Sequence, residues 1–110
     1  MSCSAMMFSL FLLSPCGDSG GNDVNEIAQA AVSNPQRPAV DIASDAGRKP
    51  AQILSFLDIK PGMTVLDLFS GGGYYTEMLS TIVGDNGKVI AHTNEAYIPF
   101  SGEIYKTRYL

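Results

Sequence analysis

The chain has 110 residues, enough for one small domain. Seven Lys and Arg against eleven Asp and Glu leave a net charge of −4, so there is no basic surplus to release counterions from a nucleic acid, and that class of function is disfavoured. Apolar residues at 45% argue against a disordered chain, and two cysteines with one histidine supply neither a disulfide scaffold nor a structural zinc site.

The first seventeen residues carry no charge, and Ala5–Leu13 (AMMFSLFLL) is apolar apart from one serine. A bilayer-spanning helix needs about 20 apolar residues, so this run is too short for a stable anchor. It suits the apolar region of an export signal, about 7–15 residues, although no Lys or Arg precedes it. Leu13-Ser14-Pro15-Cys16 is similar to a bacterial lipoprotein box, in which Cys16 is lipidated and becomes the new N-terminus; Pro15 departs from the small residue that box calls for. Gly17–Asp23 then reads as a polar, Gly-rich tether. The expected division is a signal over residues 1–15, a tether with an Ala-rich segment over 16–44, and a folded domain over 45–110. The expected location is the bacterial cell envelope, with a membrane tether through Cys16, or the cytoplasm if the signal is not used.

Glu26–Val32 (EIAQAAV) predicts two helical turns, stopped by Asn34, Pro35 and Pro38. Pro50 suits a first helical position, and Ile53, Leu54 and Leu57 recur at helical spacing, so Pro50–Leu57 predicts a short helix. Arg48 and Lys49 read as its solvated start. Lys60-Pro61-Gly62-Met63 is a turn, with Pro presetting φ and Gly accepting φ > 0. Thr64–Phe69 is β-rich and nearly all apolar, the signature of a strand buried on both faces of a parallel sheet. Ser70-Gly71-Gly72-Gly73 breaks it. Tyr75, Met78, Leu79, Ile82 and Val83 mark one face of a helix from Tyr74 to Val83, ended by Gly84-Asp85-Asn86-Gly87. Lys88–Thr93 predicts a second buried strand. Strand, Gly-rich loop, helix, strand is a βαβ unit with parallel strands. Asn94–Leu110 shows no period, and Pro99 argues against one continuous helix there.

The glycine loop carries the chemistry. A parallel strand, then glycines, then a helix start allows a ligand to approach the backbone and meet free N–H groups. A phosphate-binding P-loop requires Gly-Lys-Ser/Thr, and no lysine follows Gly73. The dinucleotide fingerprint fits at Gly71 and Gly73, but its third glycine falls on Thr76.

Val65-Leu66-Asp67-Leu68-Phe69-Ser70-Gly71-Gly72-Gly73 resembles motif I of the class I S-adenosylmethionine-dependent methyltransferases. Asp67 matches the acid, Gly71 and Gly73 match the second and third glycines, and Phe69 replaces the first. The resemblance covers about Asp45 to Asn94 and is nearest to a group of predicted bacterial methyltransferases, some with export signals. It implies a partial Rossmann-like α/β fold, and S-adenosylmethionine as cofactor and binding partner. It further implies that Ser70, Gly71, Gly72 and Gly73 line the methionine part. Asp67 would hold the ammonium group, and Thr93, Asn94 or Glu95 would take the ribose hydroxyls. The family has a seven-stranded sheet, of which two strands are visible, so the chain is expected to be an N-terminal portion, inactive alone. The catalytic residues and the methyl acceptor are unread.

Plainer readings stand beside these. Asp67 also suits a hydrogen bond to the segment after it. Tyr74 and Tyr75 read as packing, Glu77 as an acid favoured by the helix dipole. His92, inside an apolar strand, reads as a buried, hydrogen-bonded imidazole. Two other functions compete with the methyltransferase: a non-catalytic envelope lipoprotein or binding module, and, less favoured, a dinucleotide-dependent oxidoreductase.

Overall fold

The computed structural model describes residues 20–109. The apolar run Ala5–Leu13 and Cys16, with the export and lipidation expected of them, lie outside the described residues. Helix α1 spans Gly20–Val32, six residues longer at its start than the Ala-rich stretch predicts. Gly20–Asp23, read as tether, is its first turn. Val24, Ala28 and Ala31 are all buried, at the i, i+4, i+7 spacing of one helix face. The alanines let α1 approach its neighbours closely.

Helix α2 (Ala39–Arg48) was not predicted. It begins after Pro38 and ends at Lys49, which sits in the left-handed region at φ 48°. Helix α3 (Pro50–Leu57) follows at once, with buried Pro50 in its first turn, as its sequence requires. Lys49 is therefore the corner between two helices. Leu54 of α3 is among the most buried side chains of the molecule.

Gly62 turns the chain at φ +84° and its N–H donates to the Val83 carbonyl at 2.8 Å. Strand β1 (Thr64–Leu68) leads through the glycine loop to α4 (Tyr74–Val83) and strand β2 (Lys88–His92). The strands are parallel, in register from Thr64↔Lys88 to Leu68↔His92. The βαβ unit is thus present as read. Gly87 allows α4 to return to the sheet: a Cβ there would lie 2.4 Å from Val83 Cβ and 2.6 Å from the Val83 carbonyl oxygen.

Met78, Leu79 and Ile82 of α4 join Ala28, Ala31, Leu54 and Tyr74 in the core, with Val65 and Val89 packed beneath. Among the described residues the sheet is covered on that face alone. Leu66, Leu68 and Ile90 point the other way and are exposed, so the expectation of strands buried on both faces holds for one face among the described residues. The apolar composition of both strands nevertheless matches a sheet built to be covered twice. A 3-10 helix, Glu95–Ser101, and helix α5, Gly102–Tyr109, complete the described chain. No helix among the described residues is long and apolar enough to cross a membrane.

Candidate ligand site at the glycine loop

The loop after β1 is built from left-handed residues. Phe69, Gly71 and Gly73 have φ of +56°, +55° and +86°. Glycine adopts this region without penalty; a side chain raises the cost by about 1–2 kcal/mol. Phe69 therefore keeps a glycine-like backbone at the position where motif I has its first glycine. Its ring rests edge-on to His92, 5.8 Å between centroids, and against Tyr97 at 5.3 Å. Ser70 N–H donates to the His92 carbonyl at 2.9 Å, and Gly73 N–H to the Ser70 carbonyl at 2.9 Å. These bonds clamp the loop to the end of β2 and launch α4 from Gly73. His92 is exposed, with its ring on Phe69, so the expectation of a buried imidazole fails: its strand position faces the open side.

A groove of about 380 Å³ borders the loop. Ser70, Gly71, Gly72 and Thr93 line it, together with Asp41, Ser44 and Arg48 of α2. The volume lies within the range of small-molecule sites. The Thr93 hydroxyl oxygen is buried and has no hydrogen-bond partner. A buried polar atom is ordinarily paired, so an unpaired one at a groove wall suits a ligand that supplies the partner. Gly72 sits close under the C-terminal segment: a Cβ there would meet the Ser101 carbonyl at 3.4 Å and Ile104 Cγ2 at 3.6 Å. Arg108 of α5 reaches over the loop. Its guanidinium donates to the Gly72 carbonyl and pairs with Asp41 at 2.9 Å and Glu77 at 3.2 Å.

The other expected residues lie elsewhere. Asp67 accepts a hydrogen bond of 2.5 Å from the Thr76 hydroxyl and lines a separate hollow with Ile53, Leu57 and Tyr75. It thus ties β1 to the first turn of α4. Asn94 spends its side chain capping the 3-10 helix, accepting from Ala96 N–H at 2.7 Å. Glu95 is exposed at the start of that helix. Gly73 is buried at the start of α4 and does not line the groove.

Behind the groove stands a buried polar network. Arg37 is 3% exposed and holds Asp45 through two hydrogen bonds of 2.8 Å, while also donating to the Val32 carbonyl. The Tyr74 hydroxyl donates to Asp45 at 2.6 Å. Arg37 holds the Asp45 carboxyl below its ordinary value, and Tyr74 adds to this. Burial, then the Asp45 carboxylate, pushes Tyr74 up to about 12. Burial also raises Tyr75. The Arg48 guanidinium lies 4.5 Å from the Tyr74 ring centroid, so it stacks on an aromatic face. Arg48 is exposed, as expected, but it is the last residue of α2, and Lys49 alone precedes α3. No group of three His, Cys, Asp or Glu suited to a metal ion occurs among the described residues.

The sequence reading missed Asp41, Ser44, Arg48 and Arg108. The first three share one face of α2 at i, i+3 and i+7, a signal that exists once α2 is known to be a helix.

The profile of the protein-L-isoaspartate(D-aspartate) O-methyltransferase family matches residues 25–99. The chain is 35% identical over 69 residues to protein-L-isoaspartate O-methyltransferase 1 of Arabidopsis thaliana, an overlap of 61% of this chain. The chain spans 30% of the length of that relative. No solved structure matches.

Proposed function

The chain belongs to the protein-L-isoaspartate(D-aspartate) O-methyltransferase family, and on that premise we propose that it carries the cofactor-binding portion of a carboxyl O-methyltransferase acting on isoaspartyl groups. S-adenosylmethionine is the methyl donor in this family. When bound it supplies an electrophilic methyl group on a sulfonium. The observation that carries the reading is the loop Phe69–Gly73, which borders a groove of about 380 Å³ with an unpartnered hydroxyl at its wall.

The backbone of Ser70–Gly72 lies open to the methionine part of such a ligand. Thr93 stands at the end of β2, where its hydroxyl can bond a ribose oxygen. Asp67 acts indirectly, holding α4 and hence the loop. No general base is assigned among the described residues, and this acceptor requires none. An aspartyl-type carboxyl has a pKa of about 3.9, so at neutral pH it is already the nucleophile. Catalysis then rests on orientation of the reacting pair.

The test is titration of the full chain with S-adenosylmethionine, S-adenosylhomocysteine and a nicotinamide dinucleotide. Micromolar binding of the first two and none of the third is expected. Preference for the dinucleotide would replace this reading with the oxidoreductase one. The Ala5–Leu13 run carries a second part of the proposal: export, with lipidation at Cys16 and attachment to a membrane. Fatty-acid labelling of the expressed protein, lost in Cys16→Ala, is the expected result. An unlabelled product of full length removes export and lipidation from the proposal.

A further inference from the structure

Two charged side chains from α2 line the glycine-loop groove, Asp41 and Arg48. Their situations differ. Asp41 is buried and already held by Arg108 at 2.9 Å. Arg48 has no carboxylate partner among the described residues; its contact is the face of Tyr74. The other nearby arginines are committed as well, Arg37 to Asp45 and Arg108 to Asp41 and Glu77. The groove wall therefore presents one uncompensated positive charge, in a chain whose net charge is −4. The Arg48 guanidinium carbon lies over the Tyr74 ring, 4.5 Å from its centroid, and an arginine so placed keeps N–H donors with which it can take a carboxylate. Asp67, the residue expected to meet the charged amino-acid end of the ligand, does not line this groove and is bonded to Thr76 instead.

We propose that Arg48 is the anion-binding residue of the groove and takes the α-carboxylate at the methionine end of the cofactor. The inference rests on the cofactor reading above and adds to it a specific contact from α2. Tyr74 is its positioning residue: its ring orients the guanidinium, and its hydroxyl is fixed in turn by Asp45.

The experiment compares two ligands by calorimetric titration of the full chain. S-adenosylhomocysteine carries the carboxylate. 5′-Methylthioadenosine keeps the nucleoside and thioether and lacks the amino acid. Arg48→Gln is expected to weaken S-adenosylhomocysteine about ten- to a hundredfold, the range of a charge-assisted hydrogen bond, and to leave 5′-methylthioadenosine unchanged. Arg48→Lys, which keeps the charge and loses the fork, is expected to fall between. Arg48 is exposed, so both variants are expected to fold, and circular dichroism checks this. Equal binding of S-adenosylhomocysteine by wild type and Arg48→Gln overturns the inference and leaves the cofactor reading standing. Equal weakening of both ligands overturns it too, because it marks a structural role. If the wild type binds neither ligand, the cofactor reading falls and the Arg48 assignment with it.

Discussion

Phe69 concentrates the backbone cost of the glycine loop in one residue. Its left-handed φ of +56° favours glycine, while its ring contacts favour an aromatic. Comparing Phe69→Gly with Phe69→Ala separates the two effects, since both lose the ring. The Gly variant is expected to be more stable than the Ala variant by about 1–2 kcal/mol, read from urea unfolding midpoints. Elsewhere the order of these two residues is the reverse. Gly87→Ala is a second test at this scale. The added Cβ would collide with both the side chain and the carbonyl of Val83, and about 2–3 kcal/mol of destabilisation is expected, visible as a lowered Tm. At the site, the sequence marked the backbone segment that borders the groove, because Ser70–Gly72 is written in residues that leave the backbone open. It did not show which charges face that segment. Asp41 and Arg48 come from a helix that carries no recognisable motif, and Asp67, which does carry one, turned to Thr76.

Helix α2 inverts the usual amphipathic rule. Val40 and Ile42 are exposed, while Asp41 is buried and Ser44, Asp45 and Arg48 face the groove and the network behind it. Its apolar positions, Ala39, Ile42, Ala43 and Ala46, do recur at helical spacing, but they are short or solvent-facing, and the inner face is polar. Helices α3 and α4 and both strands were legible to within a residue, because Pro50, the glycine loop and Gly84–Gly87 punctuate apolar runs of clear period. α2 is held instead by Arg37, Asp45 and Tyr74. Arg37→Ala leaves Asp45 without its cationic partner and is expected to cost about 3 kcal/mol in urea unfolding; Tyr74→Phe should cost about 1 kcal/mol. The network also sets the pH limits of stability. Asp45 is lowered from its ordinary 3.8, so its contribution is present above that pH and is lost as pH falls through the folded value. Tyr74 is raised from 10.0 to about 12, so its contribution is present below pH 10 and disappears as pH climbs toward 12. A plot of Tm against pH is expected to fall below about pH 4 and above about pH 10. Asp45→Asn should flatten the acid arm.

At the scale of the whole molecule, the described residues leave the sheet with one covered side and one open one. Leu66, Leu68 and Phe69 are each more than half exposed, and Ile90 stands beside them. A patch of this kind is expected to bind apolar dyes and to limit solubility. Leu66→Thr combined with Leu68→Thr keeps β propensity while removing apolar surface. The expected result is reduced dye fluorescence with little change in Tm, since neither side chain contributes to the covered core. The roof over the glycine loop has a different consequence, one of timing. Arg108 lies 36 residues after Gly72 and 67 after Asp41. At a synthesis rate of about 5–20 residues per second, the loop exists for about 2–7 s before its guanidinium has been made. Until it has been made, the Asp41 carboxylate and the Gly72 carbonyl lack the partner that Arg108 gives them both in the folded chain.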